Sequence, residues 1–513
     1  MKVLKALTIS LILLTQSCSL KVKEDHFVNV KDNKFITEDG SQIILHGINY
    51  VNKSAKIDTT RFSNPENFKL MSKWGFNCIR LGIIWQGVEP QPGVYDEAYL
   101  KDLDYQIQLA KEQGIYVFLD MHQDLYSQLF SDGAPEWATL TDGEVHVSDN
   151  PVWSDAYFTS PAVKTAVTNF WNNKPAKDGI GVQDHYITMW KMLAERYKDH
   201  TSVIGFDLMN EPNMGWGNIK GQELMVEAFI KAYAQETGDI LSGEDVIGKW
   251  LTQDGRKEIL EFISDPSLYA QIVDAMHPIY NAFEKEILMP FFTKTTKAIR
   301  EVNNNHLIFL ETSMSSNMGV YTGIERISNE DKLVYAPHGY DLVVDTPDAA
   351  TTNNNRINLI FDRHLESSKR LKMPIMIGEW GAFGANGKAL QSAFQVVRFF
   401  EKSLSSDTYW DFTTHLDDSE LLKAISRAYP KTIAGNLTTY STNVEKQKAS
   451  FKWIETVKST SSIFIPKFYN LDLSKIMLSP QGKGFSLIKT EGGWNINIPS
   501  NLTERTLTIE PNP

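Results

Sequence analysis

The strongest constraint on this chain is an alternation. Short apolar runs rich in β-branched and aromatic residues recur at 43–49, 77–82, 116–121, 203–210, 307–312, 333–340, 374–381 and 408–412. Amphipathic segments with helical spacing lie between them, among them 97–113, 184–200, 278–303 and 355–372. Strands that alternate with helices pair in parallel, because each connection must cross back along the sheet. Eight such units predict an α/β fold, a (β/α)8 TIM barrel over residues 28–435. An open doubly wound sheet would want a glycine-rich phosphate-binding turn after an early strand, and the sequence has none. After about residue 440 the pattern changes to short β-rich runs at 451–457, 462–466, 485–490, 494–498 and 506–509, which predict a small C-terminal β-sandwich over 436–513.

Two long insertions interrupt the barrel pattern, 127–184 after the third strand and 214–268 after the fourth, both rich in Trp, Asn, Gly and Asp. Loops that follow barrel strands build the catalytic face, so these insertions are expected to shape the site. The charge balance narrows the ligand. Lys and Arg number 51 against 63 Asp and Glu, a net −12, and an acidic surface repels phosphate backbones, so nucleic acid is not expected as a partner. The 12 tryptophans suit a site for flat apolar faces.

The first residues carry their own signal. Lys2 and Lys5 precede an apolar run at 6–14 and then Thr15-Gln16-Ser17-Cys18. A basic start, a short apolar core and small residues at a break predict a signal peptide over 1–18, too short to span a bilayer. The setting of Cys18 resembles a bacterial lipoprotein processing site, with Thr15 where that pattern usually has Leu. The protein is therefore expected to be secreted, or lipid-anchored at the cell surface through Cys18. The other cysteine, Cys78, sits in an apolar strand, which excludes a disulfide framework.

Polar and aromatic groups stand at the C-terminal ends of the expected strands. They are Arg80 and Trp85 on the second, His122 and Asp124 on the third, Asn210-Glu211-Pro212 on the fourth, His338 and Tyr340 on the sixth, Glu379 on the seventh and Trp410 on the eighth. Two carboxylates facing each other across a barrel mouth are what glycoside hydrolysis requires, one protonated to assist the departing oxygen and one ionised to attack the anomeric carbon. Asn210 can hold a sugar hydroxyl, Tyr340 can donate to an ionised Glu379, Arg80 can favour that charge, and Trp410 offers a face to a pyranose ring. His122 and His338 lack a third ligand at zinc spacing, so no metal and no cofactor is expected.

This set resembles glycoside hydrolase family 5, in the retaining clan whose acid/base ends strand four and whose nucleophile ends strand seven. Longer stretches resemble endoglycoceramidases within that family: Asn52-Lys53-Ser54, Gly75-Phe-Asn-Cys-Ile-Arg80-Leu-Gly82, Gly87-Val-Glu-Pro-Gln-Pro-Gly93-Val-Tyr95, Asp120-Met-His-Gln-Asp124-Leu-Tyr126 and Tyr429-Pro-Lys-Thr-Ile-Ala-Gly435. The resemblance implies Glu211 as acid/base and Glu379 as nucleophile. It implies Arg80, His122, Asn210, His338, Tyr340 and Trp410 around the reacting sugar, and Lys53, Asp124 and Trp171 as glycan contacts. One departure is the stretch Asn213-Met-Gly-Trp216-Gly after the Asn-Glu-Pro motif, where a shorter turn is expected.

The activity so implied is a retaining endo-β-glycosidase that releases the glycan of a glycosphingolipid from its ceramide. The alternatives are a β-glucosidase, glucosylceramidase or endoglucanase on the same scaffold, or a glycan-binding lipoprotein without turnover. The partner would be a glycosphingolipid or another β-glycoside, with contact to a membrane surface. For the lipid, two segments are expected to give an apolar path beside the leaving group, residues 125–130 and 214–216.

Overall fold

The computed structural model describes residues 26–511 apart from 347, 350, 351 and 472. The expected signal peptide and Cys18 lie outside the described residues. Eight parallel strands form the barrel: β1 (His46–Val51), β2 (Cys78–Ile84), β3 (Tyr116–His122), β4 (Val203–Asp207), β5 (Leu307–Leu310), β6 (Leu333–Tyr335 continued by His338–Gly339), β7 (Met376–Gly381) and β8 (Ser406–Trp410). The ring closes at β6. Its first half pairs with β5, Ile308 opposite Leu333, and its second half with β7, His338 opposite Glu379, with a bridge from Tyr335 to Ile375 between them. β2 is buried along its whole length, as a parallel strand covered on both faces must be, which is why it reads as an unbroken apolar run around one arginine.

One end of the barrel is stoppered. Cys78, Leu307 and Met376, the first residues of their strands, share a core cluster with Val28, Phe35 and Ile43 from the N-terminal segment. Phe118 and Phe309 stack within it, centroids 4.6 Å apart and planes 13° from parallel. The polar groups that sequence places at the strands' C-terminal ends therefore face the open end.

Three segments differ from expectation. The helix expected over 278–303 is two helices, His277–Phe283 and Met289–Arg300, joined by a wider π turn at Glu284–Leu288. The turn carries Glu284 into the core, where its carboxylate accepts from the Ser313 backbone N–H and the Thr322 hydroxyl at 2.8 Å each. The strand expected over 333–340 is split at Ala336-Pro337, because proline has no N–H to give the ladder.

The insertion after β4 is helical rather than looped. It comprises α1 (Asn218–Thr237), α2 (Gly243–Trp250), α3 (Gln253–Phe262) and α4 (Pro266–Asp274). The residues that looked like loop chemistry are caps. Ser242 forms a capping box with Asp245, Thr252 accepts from the Gly255 N–H, and Asp265 precedes Pro266 at the first helical position.

The C-terminal part is a sandwich of two antiparallel sheets. Its strands are β9 (Tyr429–Ile433), β10 (Gly435–Asn443), β11 (Lys448–Glu455), β12 (Thr460–Pro466), β13 (Ile476–Ser479), β14 (Ser486–Lys489), β15 (Gly493–Pro499) and β16 (Glu504–Ile509). One sheet has the order β10-β11-β16-β13. The other draws strands from both sides of the boundary expected at residue 435: three short N-terminal strands between residues 29 and 43, then β9, β12, β15 and β14. Between the sheets, Arg505 and Glu455 form a fully buried ion pair, the Arg505 Nε donating at 3.1 Å, while Glu455 also accepts from the Asn501 N–H at 2.7 Å. Removing one partner strands the other charge in the core. We expect Glu455→Ala to lose about 3–5 kcal/mol of stability by denaturant unfolding, and a paired Glu455→Leu/Arg505→Met change to lose much less.

Candidate active site

The site is built around a guanidinium. Arg80 on β2 is fully buried, and each face of its fork meets a carboxylate or an amide oxygen. Nη1 donates to Glu379 at 2.6 Å and to Asn49 Oδ1 at 3.2 Å, Nε donates to Asp207 at 2.9 Å, and Nη2 donates to Glu311 at 2.6 Å and to Asn210 Oδ1 at 2.9 Å. Asp120 lies 2.9 Å from Nη2. So many acids in a dry barrel carry a large desolvation penalty unless a fixed cation meets them, and arginine alone among side chains stays charged there. Burial and the neighbouring Glu311 push the Asp207 carboxyl well above its usual range, against the pull of Arg80.

Above this layer stand the two glutamates. Glu379 Oε1 accepts from Arg80 and its Oε2 accepts from the Tyr340 hydroxyl at 2.7 Å. Glu211 takes a left-handed backbone, φ +44°, and its N–H donates to Glu311 at 2.8 Å. Its Oε1 lies 2.9 Å from His338 Nδ1 and accepts from the Asn317 side-chain amide at 2.6 Å. One donor atom each of Glu211, Glu379 and His338 falls within 4.8 Å of the others, so the two carboxylates and the imidazole form one tight group. His338 reaches this position because residue 378 is glycine: a Cβ there would lie 2.9 Å from His338 Nε2.

The electrostatics of the resting site divide the protons. Burial lifts the Glu379 carboxyl to about 7, against the pull of His338 and Arg80. Burial also lifts Glu211, but the hydrogen bond and charge of His338 outweigh it and hold that carboxyl below its usual value. His338 itself is raised well above the ordinary imidazole range, since Glu311 and Glu379 overcome its burial. The resting proton nearest Glu211 therefore sits on the histidine.

A second polar group lies beside the pair. His122 Nδ1 is 2.8 Å from Asp120, and its ring stacks on Trp410 with centroids 5.2 Å apart. The Lys53 ammonium bonds Asp124 and stands 5.0 Å over the Trp410 ring and 5.7 Å from Trp153. Burial, with Asp124 beside it, raises Asp132 to about 7. Among the described residues three donor sets could in geometry gather round a cation: His122, Asp124 and Asp132; Glu211, His338 and Glu379; Asp120, Asp207 and Glu311. The first and third already face a cation of the chain itself, Lys53 and Arg80, and Arg80 also meets Glu379 in the second.

Eight of the eleven expected site residues line one cavity of about 400 Å³: Lys53, His122, Asp124, Asn210, Glu211, Tyr340, Glu379 and Trp410. Arg80 and His338 support it from beneath. Trp171 stands apart from them. It does not line the cavity; its ring packs edge-on against Phe283 and Phe291, and its indole N–H donates to the Asn213 carbonyl at 2.7 Å, bracing the loop after Glu211. The segments expected to give the lipid path lie outside the cavity. Leu125 and Tyr126 are buried, whereas Leu129 and Trp216 are exposed, the latter tied by its indole N–H to Thr165 under the Lys164 ammonium. None of these lines the cavity. Its apolar arm comes from the helical insertion instead, with Phe229, Val246, Trp250, Ile259 and Ile272 facing the space that opens onto Glu211 and Glu379.

Comparison with known proteins agrees with this geometry. The family described as Cellulase (glycosyl hydrolase family 5) matches residues 36–245 and 276–416. The chain belongs to glycosyl hydrolase family 5. It is a glycoside hydrolase with that family's barrel. Among its relatives are an endoglycoceramidase of Cyanea nozakii, 26% identical over 87% of this chain and 84% of that protein, and one of Hydra vulgaris, 25% identical over 91% and 85%. Endo-glycoceramidase II from Rhodococcus sp., solved as a cellobiose-like imidazole complex, shares the fold with a TM-score of 0.68 at 23% identity, over 93% of this chain and 99% of that one.

Glu379 gives a pH test. Its unfolded carboxyl titrates near 4.5 and its folded one near 7, so the native state binds the proton more tightly and loses stability as pH rises through that window. Glu379→Gln has no such loss. Denaturant unfolding should show the variant gaining on the parent by about 1–3 kcal/mol between pH 4.5 and pH 8. A gap independent of pH would return Glu379 to an ordinary carboxyl.

Proposed function

We propose that this hydrolase cleaves the bond between glycan and ceramide in glycosphingolipids, with retention, using Glu379 as nucleophile and Glu211 as acid/base. The observation that carries the lipid half of this reading is the apolar arm of the cavity. A water-soluble glucan has no use for a chamber lined by Phe229, Val246 and Ile259 directly beside the reacting carboxylates, whereas a ceramide needs one. The endoglycoceramidases among the relatives support the same substrate class, as does the ganglioside GM3 complex of the Rhodococcus enzyme.

The chemistry follows from the geometry. The Glu379 oxygen that is free to turn from Tyr340 attacks the anomeric carbon, while Arg80 holds its partner oxygen. Glu211 protonates the ceramide oxygen as it leaves, then accepts a proton from the water that releases the glycan. Preformed donors at fixed positions need no reorganisation as charge develops. Glu379→Ala should abolish turnover, and azide should then give the α-glycosyl azide; Glu211→Ala with azide should give the β product. The opposite pair of products would exchange the two roles.

The lipid must also be reached. Trp153, Ile247 and Leu251 line the cavity yet stay 41%, 47% and 50% exposed. A rim of large apolar side chains at a chamber mouth suits contact with a membrane or micelle surface. Ile247→Ser/Leu251→Ser should lower turnover of vesicle-borne lactosylceramide by about tenfold, roughly the loss of one half-buried side chain at each site. Turnover of an aryl lactoside should stay within about twofold. Equal loss on both would count against the lipid rim, and release of glucose from glucosylceramide without cleavage of lactosylceramide would favour a glucosylceramidase. The proposed residence is secretion, or anchoring through Cys18, which Cys18→Ala tests by release of the protein from the membrane fraction.

A further inference from the structure

Glu311, at the end of β5, touches three parts of the machinery at once. Its Oε2 accepts the backbone N–H of Glu211 at 2.8 Å. Its Oε1 accepts from Arg80 at 2.6 Å and lies 3.3 Å from His338 Nε2. His338 in turn presents Nδ1 to Glu211 Oε1 at 2.9 Å. Glu211, His338 and Glu311 thus form a line in which one imidazole stands between two carboxylates.

We propose that Glu311 is a positioning residue for the acid/base step: it fixes the Nε2–H form of His338, so that Nδ1 stores the proton that Glu211 delivers to the leaving oxygen. The inference rests on the reading of Glu211 as acid/base. The Glu311 carboxylate 3.3 Å from Nε2 favours a hydrogen there by its charge and has none to give, so Nε2 keeps its hydrogen and Nδ1 is the nitrogen left to exchange with Glu211. The same carboxylate pins the Glu211 backbone in its left-handed turn, a conformation that a non-glycine residue holds only when its surroundings impose it.

The step balances. As Glu379 bonds to the anomeric carbon, the bond to the aglycone breaks and its electron pair goes to the aglycone oxygen. Glu211 takes up the proton of His338 Nδ1 and passes it to that oxygen, which leaves a neutral imidazole and an ionised Glu211. In the second half, water attacks the anomeric carbon, its proton passes through Glu211 back to Nδ1, and Glu379 leaves as a carboxylate. The groups facing His338 permit this. Glu211, Glu311 and Glu379 surround it as acids at 2.9, 3.3 and 3.5 Å, and Arg80 is held off by Glu311 and Glu379. His364 behind it is kept neutral, its burial lowering it to about 3, and Tyr340 stays protonated because burial and Glu379 raise it. This arrangement reconciles an acid whose own carboxyl is ionised at rest with a reaction that needs its proton.

The test separates steps that need a proton from steps that do not. Glu311→Gln should cut kcat/KM on lactosylceramide, whose alkoxide is a poor leaving group, by about 100-fold or more. On 2,4-dinitrophenyl β-lactoside, which leaves without assistance, kcat/KM should change by less than about threefold, because that parameter reports the first step alone. The alkaline limb of the lactosylceramide profile should move to lower pH, and Glu311→Asp should restore part of both effects. Equal loss on the two substrates, or an alkaline limb that does not move, would overturn the proposal. Should Glu311→Gln not fold, 15N NMR of histidine-labelled parent enzyme decides the same point: His338 should keep Nε2 protonated while Nδ1 titrates, and a neutral Nδ1–H form would overturn it. Failure here with Glu211→Ala behaving as an acid/base variant removes only the role of Glu311.

Discussion

The guanidinium of Arg80 is the contact on which the rest of the site depends. It draws carboxylates from β3, β4, the end of β5 and β7 into one dry layer of the barrel. Without it, each of those acids would have to take a proton or pull water into the core, because an ion unpaired in that medium costs several kcal/mol. With it, the layer becomes a charged floor of fixed geometry, and the floor sets what stands above. Glu379 is oriented by the bond from Nη1, and Glu211 is oriented at one remove through Glu311. The strand register makes this possible by setting Asn49 beside Arg80 and Asp120 beside Asp207 in adjacent strands.

Much of the site was legible because barrel strands impose a rule on sequence. A polar residue at the C-terminal end of an apolar run sits at the catalytic end of the barrel, so His122, Asn210, Glu211, His338, Tyr340, Glu379 and Trp410 could be read off as a set, while Arg80 lies two residues into its strand, in the layer beneath. The same rule could have found Glu311, which ends the run Leu307-Ile-Phe-Leu310 in the same way, and Asp120, two residues before His122 and so on the same face of β3. Trp171 stands outside the cavity for a physical reason. A tryptophan in an insertion can face the cleft or the packing beneath it, and spacing does not distinguish the two; here three aromatic neighbours claimed the ring.

The insertion after β4 was the least legible part. Its Asn, Asp, Gly and Ser residues read as loop, yet many of them terminate helices, and helix caps use the same chemistry as turns. The apolar residues between the caps fall at spacings that face inward on short helices, and only the packing of four such helices against one another reveals an enclosed space. A lining assembled from separate short elements leaves no continuous pattern along the chain. Specificity for the aglycone is thus written in tertiary contacts, while the chemistry of the sugar is written in strand ends.

The seven-stranded sheet of the sandwich has one further consequence. It sets Gln42 opposite Ile433, and β9 in turn against β12 near residue 463, so its two flanks come from opposite extremes of the described chain. A ribosome would release the barrel's stopper hundreds of residues before the strands that complete its sheet. Until they arrive, the edge of Gln42–Ile43 presents unpaired backbone groups of the kind that recruit foreign strands. Loop closure over such a span makes this sheet a late event, and the last strands synthesised become the latch that holds the first ones in place.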